Sequence, residues 1–390
     1  MREIQLTNES IEAPIRVFEK ALAGHHKLGI IRLNTPASLN ALSLQMIELM
    51  SQQLQVWKDD EAIVAVWLEG EGERAFCAGG NVVEVYESVV AERPNPAVVE
   101  DYFKKEYALD FCLHTYPKPV ICWGQGIVMG GGMGLFMAAD IRVVTETSRL
   151  AMPEIAIGLF PDVGASYFLN QIDVSWSRFI ALTACHLSCS DAIALGLANV
   201  LVSQEVKQEV LEKLEMVHWD VQNKEQSLVS LKQVILSISQ QHDAFNHNVD
   251  NHVSEHSAEI APLMTDSIEE IDQKIRQWQP ETAWLKKAKQ SFLSGSALSA
   301  HVILRQLEAH RQSSLQEVFE SELNLVTALC HKGDFAEGVR ALLVDKDKAP
   351  KWRFSSVNTV SLEDVEQFSP SLNEAQLQER PILTTQNDLV

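Results

Sequence analysis

The feature of this 390-residue chain that most restricts its fold is a run of three glycines, Gly130-Gly131-Gly132, set between two apolar stretches. Ile127-Val128-Met129 precedes it and Leu135-Phe136-Met137-Ala138-Ala139 follows it. Without a Cβ the main chain can pass close to a ligand and take angles closed to other residues. The second apolar stretch reads as a helix, so N–H groups left unpaired at its first turn would face whatever binds there. Taken alone, the run is also what a tight turn between a buried strand and a buried helix requires. A second glycine-rich loop, Arg74-Ala75-Phe76-Cys77-Ala78-Gly79-Gly80-Asn81, follows the strand-like run Ile63-Val64-Ala65-Val66-Trp67-Leu68. Two such loops can each give one N–H to a developing oxyanion.

Charge excludes one class of partner. With 32 Lys and Arg against 53 Asp and Glu, the formal charge is −21, and phosphate neutralisation on a nucleic acid needs a basic surface. The first ten residues carry Glu3 and Glu9 and have no apolar core, so they read as neither a secretory nor a transit peptide, and no uncharged apolar run reaches the length of a membrane span. The six cysteines lie mostly in apolar segments without a CxxC pair, which suggests a reduced, cytoplasmic protein with no membrane partner. Cys185, His186 and Cys189 match no usual zinc spacing, and His242, His247, His252 and His256 read as a solvated loop, so no metal is expected.

Apolar runs at 28–33, 63–68, 119–123 and 140–144 alternate with helical patterns, one from Ser43 with Ile47, Met50, Leu54 and Trp57 on one face and another around 98–114. Such alternation predicts an α/β core. Beyond about residue 205 apolar residues recur at helix spacing, and from Ser369 the chain is polar. The expected division is therefore 1–205, a helical C-terminal domain over 206–368, and a tail over 369–390.

Five segments carry a resemblance: Leu39-Asn40-Ala41-Leu42-Ser43, the loop Phe76 to Asn81, the loop Met129 to Leu135, Met152 to Leu169, and Asp334 to Trp352. On them the chain resembles the crotonase (enoyl-CoA hydratase/isomerase) superfamily, and within it the branch of 3-hydroxyisobutyryl-CoA hydrolases, acyl-CoA thioesterases of valine breakdown. The resemblance implies a ββα spiral core that binds acyl-CoA, with coenzyme A as part of the substrate and no other cofactor. It also allows a homo-oligomer.

By the same resemblance, Gly80 and Gly131 would donate the oxyanion hole, and Ala78, Glu106 and Gly130 would line the substrate. Glu154 and Asp162 would be the catalytic pair. Without it, Glu154 reads as a solvated residue at a helix start and Glu106 as part of a charged helix face. Three departures matter. Asn81 stands where the family has Asp, and Ala37 where it usually has a phosphate-binding Lys. Gly134 stands where enoyl-CoA hydratases carry a second catalytic Glu, whereas Asp162 replaces their glycine. Water addition to a double bond needs a paired acid and base, so the resemblance implies thioester hydrolysis. Isomerase or other enolate chemistry through Glu154 alone, or acyl-CoA binding without catalysis, are the alternatives.

Overall fold

A computed structural model of the chain describes residues 1–4, 13–91, 95–242 and 249–368. Ten strands among them, β1 (Arg2–Ile4), β2 (Ile15–Ala21), β3 (Lys27–Leu33), β4 (Ile63–Gly70), β5 (Ala75–Cys77), β6 (Val120–Gly124), β7 (Ile127–Met129), β8 (Ile141–Thr145), β9 (Arg149–Ala151) and β10 (Val200–Val202), form two sheets. The seven-stranded sheet runs β1-β2-β3-β4-β6-β8-β10 and the three-stranded sheet β5-β7-β9. Each pair β4/β5, β6/β7 and β8/β9 gives one strand to each sheet, and helices or turns follow the pairs, so the chain winds as a spiral of strand, strand, helix. Except for β1 to β3, the pairings are parallel. This is the α/β spiral expected from the sequence.

Local chemistry explains the elements that frame the loops. Ser43 Oγ accepts the Met46 N–H and starts the helix Leu44–Asp59, whose buried face holds Ile47, Met50, Leu54 and Trp57. Asn95 caps the helix Pro96–His114 through the Ala97 N–H, with Pro96 in its first turn. The helix after the triple glycine spans Gly131–Met137 rather than starting at Leu135, with Gly130 at φ 52° before it. The glycines are thus the first turn itself.

Beyond β10 the described chain is helical, apart from connecting turns. Leu231, Ile235 and Ile238 of the helix Lys224–Gln241 pack with Leu28, Trp67, Ile121, Trp123 and Val143 on one face of the large sheet. The other buried cluster joins residues of the strands and early helices to Leu298, Phe319, Val326 and Phe335. Phe335 and Val339 dock as their spacing predicts, but Leu342 and Leu343 are each 37% exposed. A single π-helical turn, Arg340–Val344, shifts the phase of the side chains there. Arg340 holds that turn by ion pairs to Glu337, Asp345 and Asp347. The expected tail, 369–390, lies outside the described residues.

Candidate active site

The two glycine loops meet. Leu42 N donates to Gly79 O at 2.8 Å and Asn81 N to Leu42 O at 2.7 Å, while Ala78 N donates to Leu39 O at 3.0 Å. Asn40, itself in the left-handed region at φ 57°, donates to Ala75 O at 3.0 Å and Glu71 O at 3.1 Å. The first loop is thereby fixed to the segment 39–42. A Cβ on Gly79 would lie 3.2 Å from Met129 O and 3.6 Å from Gly131 N, and one on Gly131 would lie 3.2 Å from Gly80 N. Only glycine allows this approach. Among the described residues no acceptor engages the Gly80 N–H or the Gly131 N–H, so the two N–H groups that the resemblance singled out are adjacent and free.

One face of the helix Pro96–His114 runs along these loops. Tyr102, Glu106 and Asp110 follow at helical spacing and are all buried. Tyr102 Oη donates to Leu42 O at 2.8 Å and accepts the Asn81 N–H at 3.1 Å. A Cβ on Gly131 would lie 2.3 Å from Glu106 Oε1, and one on Gly134 would lie 2.7 Å from Asp110 Oδ2. Each side chain uses room that a glycine leaves. Glu106 is therefore at the loops and not on a solvated face.

Glu154 opens the short 3-10 turn Glu154–Ile157 after Pro153, and Gly158 at φ 73° reverses the chain. Glu154 Oε1 lies 3.0 Å from where a Cβ on Gly130 would stand. The chain then returns with Asp162, whose Oδ2 accepts the Tyr107 hydroxyl at 2.6 Å. Val163 follows at φ 53°. Distant segments clamp this stretch: Ser296 N donates to Ile155 O at 3.2 Å, and Gly158 has no room for a Cβ against the backbone of Asp334. Asp334 in turn accepts Ser296 Oγ at 2.6 Å and Arg353 N at 2.9 Å.

The site gathers carboxyl groups in low dielectric. Burial, and then the neighbouring Asp162, raise both Glu106 and Glu154 well above the ordinary range. Asp110 is raised by burial and by Glu106, Asp162 and Glu322. Burial raises Asp162 to about 6, with the Tyr107 hydroxyl opposing the rise. Among the described residues, Glu106 Oε1, Glu154 Oε2 and both oxygens of Asp110 have no hydrogen-bond partner. Burial and the neighbouring Asp162 both disfavour the charged form of Glu154, so the two carboxyl groups do not ionise independently. A thioester carbonyl at Gly80 and Gly131 would find an oxyanion hole on one side and an acid–base pair on the other.

A profile described as enoyl-CoA hydratase/isomerase matches residues 28–369. The chain belongs to that family. It is similar to the mitochondrial 3-hydroxyisobutyryl-CoA hydrolase of Danio rerio, 36% identical over 90% of this chain and 89% of that protein. The mitochondrial 3-hydroxyisobutyryl-CoA hydrolase of Homo sapiens is 34% identical over 90% of this chain and 88% of that protein. Among solved structures, an enoyl-CoA hydratase from Rhodobacter sphaeroides 2.4.1 matches with a TM-score of 0.77 at 27% identity, over 92% of this chain and 98% of the other. A carnitinyl-CoA dehydratase from Mycobacterium thermoresistibile matches with the same TM-score at 28% identity, over 92% and 97%.

These relatives overturn one expectation. The hydrolases are mitochondrial by name, against the cytoplasmic address taken from the cysteines. All six thiols are free, and all but the half-buried Cys112 are buried; buried thiols report packing and not a compartment. No helix among the described residues is long and apolar enough to cross a membrane. Of the four histidines, His247 lies outside the described residues. His252 and His256 lie on the helix His252–Ile260 rather than in a loop, and with Glu255 their ligand atoms fall within 4.8 Å of one another. The His252 ring stacks on Trp284 at 4.1 Å between centroids.

Four residues at the site went unnoticed in the sequence. Tyr102 and Asp110 were findable, since they lie one helical turn to either side of Glu106 on the same face, and Tyr107 adjoins it in sequence. Glu322 carries no local signal: its Oε2 accepts the N–H of Gly164, 158 positions away.

Proposed function

We propose that the protein hydrolyses 3-hydroxyisobutyryl-CoA to 3-hydroxyisobutyrate and CoA, with Gly80 and Gly131 as the oxyanion hole and Glu154 and Asp162 as the catalytic pair. The observation that carries this reading is the buried Glu154, set against Gly130 beside the two unpaired N–H groups. Attack on the thioester carbonyl puts charge on its oxygen, which the two N–H groups receive, a stabilisation of several kcal/mol in such sites. The new C–O bond forms from water, directly or after Glu154 has been acylated. On the direct route the C–S bond breaks after water has added. On the other it breaks as Glu154 is acylated, before water cleaves the anhydride. On both the sulfur leaves with a proton. One water is consumed and no redox step is needed. Asp162, oriented by Tyr107, accepts the substrate's 3-hydroxyl.

Relatives across most of the chain, named as hydrolases of this thioester, support the substrate assignment. The test is thiol release from a panel of acyl-CoAs, followed with a thiol-reactive dye. Turnover with 3-hydroxyisobutyryl-CoA well above that with isobutyryl-CoA is expected, and absence of release from every thioester would refute the assignment. One observation favours a second reading: Asp110 brings a carboxyl beside Gly134, where hydratases hold their second Glu. Loss of enoyl absorbance from crotonyl-CoA at a rate comparable to thiol release would establish that reading instead.

A further inference from the structure

The reading of Asp162 as the hydroxyl-binding group, on which the following step rests, leaves open what holds that carboxyl in place. Its turn is strained. Val163 has φ 53° and Gly164 φ 83°, and a β-branched residue in the left-handed region persists only where its surroundings enforce it. The enforcing group is not local. Glu322, on the helix Leu315–Lys332, is fully buried. Its Oε2 accepts the Gly164 N–H at 2.7 Å and its Oε1 the Ser166 N–H at 3.0 Å. One carboxylate thus grips the backbone on the far side of Val163, at the start of the helical turn Ala165–Phe168.

The same helix reaches Asp162 by a second route. Phe319, almost one turn before Glu322, packs on the Tyr107 ring at 5.7 Å between centroids, and Tyr107 donates to Asp162. It also touches the turn itself, since a Cβ on Gly164 would lie 3.1 Å from Phe319 Cζ. Both anchors of Asp162, the strained turn and the tyrosine, therefore bear on a single helix far along the chain.

We propose that Glu322 is the positioning residue of the hydroxyl-binding site: by gripping the Gly164 and Ser166 N–H groups it sets the Asp162 carboxylate where it accepts the substrate's 3-hydroxyl, and so sets selectivity for hydroxyacyl thioesters. It touches no substrate and acts through Asp162. Gln at 322 has one acceptor oxygen, so one of the two N–H groups faces an NH₂ and the turn loosens.

The experiment measures kcat and KM of the wild type and Glu322→Gln for 3-hydroxyisobutyryl-CoA and isobutyryl-CoA, with Tm recorded for each protein. The ratio of the two kcat/KM values should fall by about tenfold, carried by the hydroxyacyl substrate, while isobutyryl-CoA changes by less than about threefold. Where Glu322→Gln does not fold, Glu322→Asp keeps the carboxyl group, draws both acceptors back from the two N–H groups, and carries the same expectation. A folded variant in which the two substrates decline together, or in which neither changes, shows Glu322 to be structural and overturns the inference while hydrolysis stands. A wild type that releases no CoA from 3-hydroxyisobutyryl-CoA overturns the proposed function and this inference with it.

Discussion

The two walls of the site are built at different range. On the donor wall, the Gly80 loop is held from within the first part of the chain, by bonds spanning 21 to 60 positions: Leu42 to Gly79 and Asn81, Asn40 to Ala75, Tyr102 to both Leu42 and Asn81. The parallel register of β5 with β7 brings the loops together. On the acid wall, Glu154 and Asp162 sit in turns held from far away, by Ser296, Glu322 and Asp334. A donor geometry that rides on a sheet can survive changes elsewhere in the chain. The acid geometry depends on the helical region, and in the proposed reaction the acyl group meets that wall. The oxyanion donors can therefore be altered separately from the carboxyl groups.

The largest effect is expected where the acid wall enters the chemical step. Glu154→Gln keeps shape and removes the base or nucleophile, so kcat for thiol release should fall by roughly a hundredfold or more, with KM changing far less because the donors remain. Unchanged release would detach Glu154 from the reaction. On the donor wall, Gly131→Ala puts a Cβ 2.3 Å from Glu106 Oε1 and 3.2 Å from Gly80 N. A loss of roughly tens to a hundredfold in kcat should follow as the oxyanion site closes. The first contact is with the end of a flexible side chain, so adding Glu106→Ala should recover part of that loss. A double variant no better than the single one would locate the damage in the backbone itself.

Asp162→Gly tests selectivity without touching the donors. Losing a buried acceptor for the 3-hydroxyl should narrow the preference for 3-hydroxyisobutyryl-CoA over isobutyryl-CoA by about 10- to 150-fold. Equal losses on both substrates would move Asp162 from selectivity to the chemical step. In the wild type the same preference should weaken as pH falls through about 6, where Asp162 takes up its proton.

Legibility in the sequence followed the same division. The two glycine loops could be read because such loops, and the long strand β4 before the first, are local patterns, whereas Gly80 and Gly131 were singled out by family likeness; the structure brings their N–H groups close together. The short strands β5, β7 and β9 escaped notice: three residues do not show a period, and pairing rather than propensity defines them. Glu154 and Asp162 were reached through family likeness, since nothing near Met152-Pro153 distinguishes a catalytic carboxylate from a helix-start one. A regular helical period from Phe335 would turn Leu342 and Leu343 inward with Val339, and the π turn breaks that period. Glu322 could not be read at all. Its meaning lies in two N–H groups on a turn that comes near only after the helical region has packed.

The smallest effect concerns Asp110, where the walls meet. Among the described residues its two oxygens are buried without partners beside three other carboxyl groups, and burial and those neighbours disfavour its charged form. The sign of the pH effect follows. Its folded pKa lies above the unfolded value, so its contribution to stability is fully present below the unfolded pKa, near 4, and is lost as pH rises toward the folded value. Asn resembles the neutral acid in size and cannot ionise. Asp110→Asn should therefore keep kcat within about threefold and raise Tm, by a few degrees at most. The gain should be larger at pH 8 than at pH 5. Glu106, Asp162 and Glu322 shift in the same direction but are present in both proteins, and removing a neighbouring charge eases their ionisation, which adds to the gain at high pH. An equal loss of Tm at both pH values would mean that Asp110 is ionised and bonded in solution. The carboxyl beside Gly134 would then be a second base, and the separation of donor wall from acid wall would fail at that point.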